Sequence, residues 1–166
     1  MFEAKRLRIN CLRLTPKADE TLTNISFYKL AGDQNLAFLL ICQLVKKARK
    51  QDQQVLCLMP GESEVMSLDK AMWAFEPSSF LPHGTGAESS PIAVSCDAGP
   101  GDHHQVLINL HSEIPTWFSR FDRVVEIIYQ DSDYEQSKRD SFVFYKERGY
   151  PISYHDLTDK FKPQLP

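Results

Sequence analysis

From Asn24 onward, hydrophobic and polar positions fall into two alternating rhythms. Ile25-Ser-Phe27-Tyr-Lys-Leu30 has the two-residue period of a strand, and Gly32-Asp33 breaks it. Gln34 to Lys50 then sets Leu36, Leu40, Leu44, Val45 and Ala48 at helical spacing. Lys46, Lys47, Arg49 and Lys50 crowd its last turn, where cations suit the negative end of the helix dipole. Val55 to Met59 is a continuous apolar run, as in a strand covered on both faces, and Pro60-Gly61 closes it. Glu62 to Phe75 is helical again, with Val65, Leu68, Met72 and Trp73 as its apolar positions. Pro91 to Ser95 and Val106 to Leu110 read as strands separated by a Gly/Pro/Asp loop, and a short helix begins at Pro115. Arg123 to Tyr129 reads as another strand, and a last helix runs from Ser132 to Arg148, stopping at Gly149. This alternation with short links predicts an α/β fold. The default is a single three-layer Rossmann-like domain, with a mostly parallel sheet and helices on both faces.

A chain of 166 residues is enough for one such domain and a core that needs no disulfides. The domain is expected over 25–150, between a mobile extension of unassigned role (1–24) and a C-terminal tail (151–166). The extension carries Lys5, Arg6, Arg8, Arg13 and Lys17 but lacks the apolar stretch and cleavage site of a secretory signal. A net charge of −3 rules out whole-molecule electrostatic attraction to nucleic acid. The longest apolar run, Leu36 to Cys42, is far short of the ~20 residues that span a bilayer. Cys11, Cys42, Cys57 and Cys96 are scattered with no CxxC pair, and read as reduced thiols of a cytoplasmic protein.

The first strand-to-helix turn, Leu30-Ala-Gly-Asp-Gln-Asn35, has one glycine rather than the three of a dinucleotide loop. Asp33 also puts a negative charge where a phosphate would sit. Gly84-Thr-Gly86 opens a loop rather than a helix, and there is no GxxxxGK[ST]. His103 and His104, with Asp97 and Asp102 nearby, contain metal-ligating types, but adjacent rings rarely converge on one ion, so a solvated loop is the plainer reading. His83 and His111 read as structural donors. No serine lies in a nucleophile elbow, and no cysteine has a nucleophile's local signature. No catalytic residue, metal site or cofactor is expected, which moves weight from an enzyme to a binding module.

Two stretches have the composition of docking sites. In Leu68 to His83, Leu68, Met72 and Phe75 form a core-facing stripe, and Trp73 sits about 100° from Met72 at its edge. Trp73 and Phe80 then either finish the core or stand out together as anchors for a protein partner, and the pattern leaves both readings open. On the last helix, Arg139, Phe142 or Val143, and Lys146 share one face, with Lys138 one step away. Cations beside an aromatic ring suit an acidic peptide bearing apolar side chains. A solvated face laced with pairs such as Glu135–Arg139 is the competing reading.

Taken together, Phe27-Tyr-Lys-Leu30, Leu68-Asp69 with Met72-Trp73, and Ser79-Phe80-Leu-Pro-His83 resemble one family. Pro91-Ile92, Val106-Leu-Ile-Asn-Leu110, Phe121-Asp-Arg-Val-Val-Glu126 and Tyr145-Lys-Glu-Arg-Gly-Tyr150 extend the likeness. The family is the chi subunit of bacterial DNA polymerase III holoenzyme, and the resemblance covers Ile25 to Tyr150. It implies a non-catalytic accessory subunit of the clamp-loader complex in DNA replication, reaching DNA only indirectly. It implies one partner, the psi subunit, at Trp73 and Phe80. It implies a second, the acidic C-terminal tail of single-stranded DNA-binding protein (SSB), which ends in Phe. On this likeness Arg139 matches the family's key arginine, Phe142 stands where the family has tyrosine, and Ile128 matches an apolar residue of the preceding strand. Two family lysines fall on Glu135 and Val143, so Lys138 or Lys146 is expected to supply the missing charge. The alternatives are a nucleotide- or metal-dependent α/β enzyme with degenerated motifs, and the same adaptor fold serving a DNA-repair helicase.

Overall fold

The computed structural model describes residues 22–75, 81–88 and 91–161. The first strand, β1 (Asn24–Lys29), leads into α1 (Gln34–Lys50), then β2 (Val55–Leu58) and α2 (Glu62–Ala74). Three strands follow: β3 (His83–Thr85), β4 (Ile92–Ser95) and β5 (Val106–Asn109). A single 3-10 turn (Phe118–Arg120) precedes β6 (Arg123–Ile128), α3 (Ser132–Glu147) and β7 (Ile152–Asp156). All pairings are parallel, and the seven strands form one sheet in the order β3-β4-β2-β5-β6-β1-β7. This is an α/β, Rossmann-like three-layer domain.

Side-chain alternation builds the layers. Val55, Cys57, Val106, Ile108, Val125 and Ile127 point to one face and pack with the buried stripes of α1 and α2. Leu56, Leu58, Leu107, Val124 and Ile128 point to the other, where Tyr145 of α3 and Phe118 of the 3-10 turn cover them. β2, β4 and β5 are buried along their whole length, which is why continuous apolar runs suit them. From β1 the chain crosses by α1 toward one sheet edge, and from β6 it crosses by α3 toward the other. Neighbouring β1 and β6 therefore send their helices to opposite faces, the arrangement that opens a crevice at the strands' carboxyl ends in nucleotide-binding relatives of this architecture.

Here the two turns at those ends are joined. Gln130 N donates to Gly32 O at 2.8 Å, tying the turn after β6 to the turn after β1. Asp33 caps α1 by accepting from Leu36 N, and Asp131 caps α3 by accepting from Tyr134 N. α2 begins with Glu62 and Glu64 in its first turn. Gly32 sits close to Leu36: a Cβ there would meet Leu36 Cδ2 at 2.5 Å and Cβ at 3.1 Å, so a side chain would force Leu36 to move.

Two strands lie outside the sequence-based expectation. β3 is three residues long. β7 continues the sheet beyond residue 150, where a tail was expected, and pairs in register with β1 from Ile25↔Ile152 to Lys29↔Asp156. β7 is an exposed edge strand with mostly polar side chains, so it has no apolar run to announce it. The helix expected from Pro115 is only the 3-10 turn. Among the described residues, no helix is long and apolar enough to cross a membrane.

Candidate protein-docking surfaces

The outer side of α2 combines a buried stripe with exposed apolar residues. Leu68 and Met72 are buried, as the helical spacing requires. Trp73 is 59% exposed and Met66 67% exposed, two turns apart on the same helix face. Between α1 and α2 runs an open groove of about 1100 Å³, walled by Phe38 and Leu39 on one side and Met66, Trp73 and Phe75 on the other. Large apolar side chains left in water beside an apolar groove cost free energy unless something covers them. Met66 escaped the sequence reading, although it lies seven residues before Trp73 on an otherwise polar face. Phe80, expected beside Trp73, lies outside the described residues.

The outer side of α3 is different. Arg139 and Lys146 are exposed, and Arg139 Nη1 donates to Gln136 Oε1 at 3.1 Å. Phe142 is half-buried, its ring 5.3 Å from Phe27 and 6.2 Å from Tyr154 of β7. Val143 and Tyr154 are exposed. Ile128 is buried in the same apolar cluster as Phe27 and Phe142, so it can serve as floor rather than rim. Tyr154 was missed because β7 was missed.

Lys138 lies elsewhere than the helix pattern predicts. It does not face solvent beside Arg139 but is fully buried under α3. Its Nζ lies 2.6 Å from Glu126 Oε1, also fully buried, and donates to His111 O at 2.6 Å. Tyr145 donates to Glu126 Oε2 at 2.7 Å, and Asn109 Nδ2 sits 3.2 Å from the same oxygen. Burial, then the Glu126 carboxylate beside it, push the Tyr145 hydroxyl far above its usual range, so it remains a donor. A buried acid needs this number of partners, and a lysine that left the site would strand it.

His103 is buried, and burial chiefly lowers its pKa, whereas its neighbour His104 is exposed. Among the described residues, no three His, Cys, Asp or Glu side chains are placed to hold a metal ion. Burial pushes the Cys42 thiol up to about 12 and that of Cys57 higher still, which keeps both protonated and unreactive.

Comparison with known proteins places the chain in a family. The family model described as "DNA polymerase III chi subunit, HolC" matches residues 22–153. The chain belongs to the DNA polymerase III chi subunit family. It is 34% identical over 139 residues to the DNA polymerase III subunit chi of Pseudomonas aeruginosa, covering 82% of this chain and 98% of that one. It is 22% identical over 142 residues to its Escherichia coli K12 counterpart, covering 80% and 97%. The Haemophilus influenzae chi subunit is 23% identical over 117 residues, covering 68% and 81%. This chi-family chain carries its N-terminal 21 residues outside the matched region, and the match runs into β7.

Proposed function

We propose that this chain is a non-catalytic adaptor of the DNA polymerase III holoenzyme, holding two protein partners on opposite faces of one sheet. The α1–α2 groove with Trp73 docks the psi subunit of the clamp loader. The α3 surface of Arg139, Phe142 and Lys146, with Tyr154 at its side and Ile128 beneath, receives the acidic C-terminal tail of SSB. The chain would then act in the cytoplasm and reach DNA through SSB rather than directly, as its net charge of −3 suggests.

The observation that carries this reading is the exposed indole of Trp73 over an apolar groove, since aromatic anchors beside pockets dominate protein–protein affinity. Because α2 and α3 cover different faces, occupation of one surface leaves the other open. The tail surface is thinner in charge than first expected, because Lys138 is committed to Glu126. Aromatic contact with Phe142 and Tyr154 therefore carries more of the recognition, and affinity should fall only modestly with salt.

The test is a pair of titrations, one with purified psi and one with an SSB tail peptide, on wild type, Trp73→Ala and Arg139→Ala. Each variant should lose one partner and keep the other. Loss of both partners in either variant, or of neither, would reject the two-surface reading.

A further inference from the structure

Beside Trp73 stand two polar residues that the docking surface leaves without a role. Asp69 and Trp73 are one turn apart on α2, so their side chains rise from the same side of the helix. His83, the first residue of β3, places its ring between them. Its Nδ1 donates to Leu81 O at 2.7 Å, and its Nε2 lies 3.0 Å from Asp69 Oδ1. The second approach has ion-pair distance but not the line of a hydrogen bond. The imidazole centroid is 5.0 Å from that of Trp73, the planes tilted by 53°. The His83 side chain is 1% exposed and that of Asp69 33%, so a nearly buried ring sits beneath an exposed indole.

We propose that Asp69 and His83 are positioning residues that prop the Trp73 indole in its outward, partner-ready posture. This rests on the reading of Trp73 as a docking residue. A tryptophan on an exposed helix face has several rotamers, some of which fold the ring onto nearby apolar surface such as Met66 and Phe75. Contact with a ring below it narrows that choice. His83 can act as a fixed base because its Nδ1 is tied to the carbonyl of Leu81 and its nearly buried ring is backed by the Asp69 carboxylate 3.0 Å from Nε2. The Asp69–His83 approach also brings the start of β3 against α2. An anchor already held in its bound posture loses less freedom on docking, an effect of roughly three- to tenfold in affinity for one large side chain.

The experiment uses the full chain carrying Trp117→Phe, which leaves Trp73 as its one tryptophan. Time-resolved fluorescence anisotropy of the unbound chain reports the motion of the indole, and calorimetry with purified psi reports affinity. His83→Gln and Asp69→Asn should each enlarge the fast anisotropy decay and weaken psi binding three- to tenfold, with the melting temperature of Asp69→Asn close to that of its parent. Unchanged indole motion in Asp69→Asn overturns the proposal, whether or not affinity falls, because a loss of affinity alone would mean direct contact with psi. If His83→Gln melts the domain, the partly exposed Asp69 position decides. Should Trp73→Ala bind psi as tightly as its parent, the docking reading fails, and the anisotropy result still judges the prop independently.

Discussion

The outer surfaces of α2 and α3 are held in opposite ways. α2 exposes greasy residues, Met66 and Trp73, over a helix whose inner stripe is conventionally apolar. α3 exposes a mixed cationic and aromatic surface, and its inner side rests on a buried ion pair, Lys138 to Glu126. On α2 the apolar residues Met66 and Trp73 are out of place in water and the core residues are in place. On α3 the charge is the residue out of place, and it lies in the core. The lesson is that an anomaly of polarity calls for a partner in both cases: on α3 the rest of the molecule supplies it, and on α2 our proposal is that another protein does.

The contrast is broken most forcefully at Lys138. Lys138→Ala leaves the Glu126 carboxylate buried and uncompensated, and should lower stability by about 3–5 kcal/mol in urea denaturation. The double change Lys138→Met with Glu126→Gln should recover much of that loss, since it removes both charges while filling the space. A single-variant loss under 1 kcal/mol would show that the pair is not what seats the helix. Next in size, Trp73→Ala should cost at least about 2 kcal/mol in affinity for psi, measured by calorimetry, while leaving urea stability within about 1 kcal/mol. A stability loss larger than the affinity loss would make α2 resemble α3, with its anomalous residue serving the fold. Arg139→Ala should weaken the SSB tail peptide by about 1–3 kcal/mol, because a charge-assisted contact is lost. Lys138→Met tested against the same peptide sharpens the point, since a buried ammonium contributes no direct contact.

The smallest effect concerns pH. Burial holds His103 below its ordinary value of 6.5, so the unfolded chain takes up this proton at higher pH than the folded one does. Its contribution to stability is complete above 6.5 and is lost as pH falls from there toward the folded value. Urea titrations at pH 7.5 and 5.5 should show this decline, and His103→Leu should flatten it.

Much of the fold was legible because its inner elements are strongly patterned. The helix at Gln34–Lys50 has the bounds and the cationic last turn that the sequence predicts, and the structure adds Asp33 as its cap. β2, β4, β5 and β6 fall on apolar runs, since each is covered on both faces. The edges were not legible. β7, read as tail, has only Ile152 and Tyr154 at alternate positions, too few for a period to show, and it is held chiefly by backbone pairing to β1. β3 is three residues that include Gly84, and its place depends on Ile92 to Val94 beside it.

At the candidate surfaces, Trp73 could be placed at the edge of the buried stripe, but its exposure depends on how closely α1 approaches. Lys138 was misread for a definable reason. One position along a helix is about 100° of rotation, which carries a residue from the Arg139 face to the core. The residues of α3 alone give no origin for that rotation, and lysine is among the side chains least often buried. The missing signal was on another element. Glu126 interrupts the apolar run Val124-Val125-Glu126-Ile127-Ile128 in the middle of a two-face-covered strand. An acid there requires an internal counter-charge, and the helix that follows is the nearest source.

The carboxylates at the starts of the three helices bear on the company this molecule keeps. Replication proceeds among abundant nucleoside triphosphates, and an open parallel sheet of this shape ordinarily attracts their phosphates to the ends of its helices. Asp33 and Asp131 already occupy the donors that a phosphate would seek, and Glu62 and Glu64 repel it from the third. Carboxylates thus fill or shield all three helix starts, which makes each of them a poor seat for a phosphate.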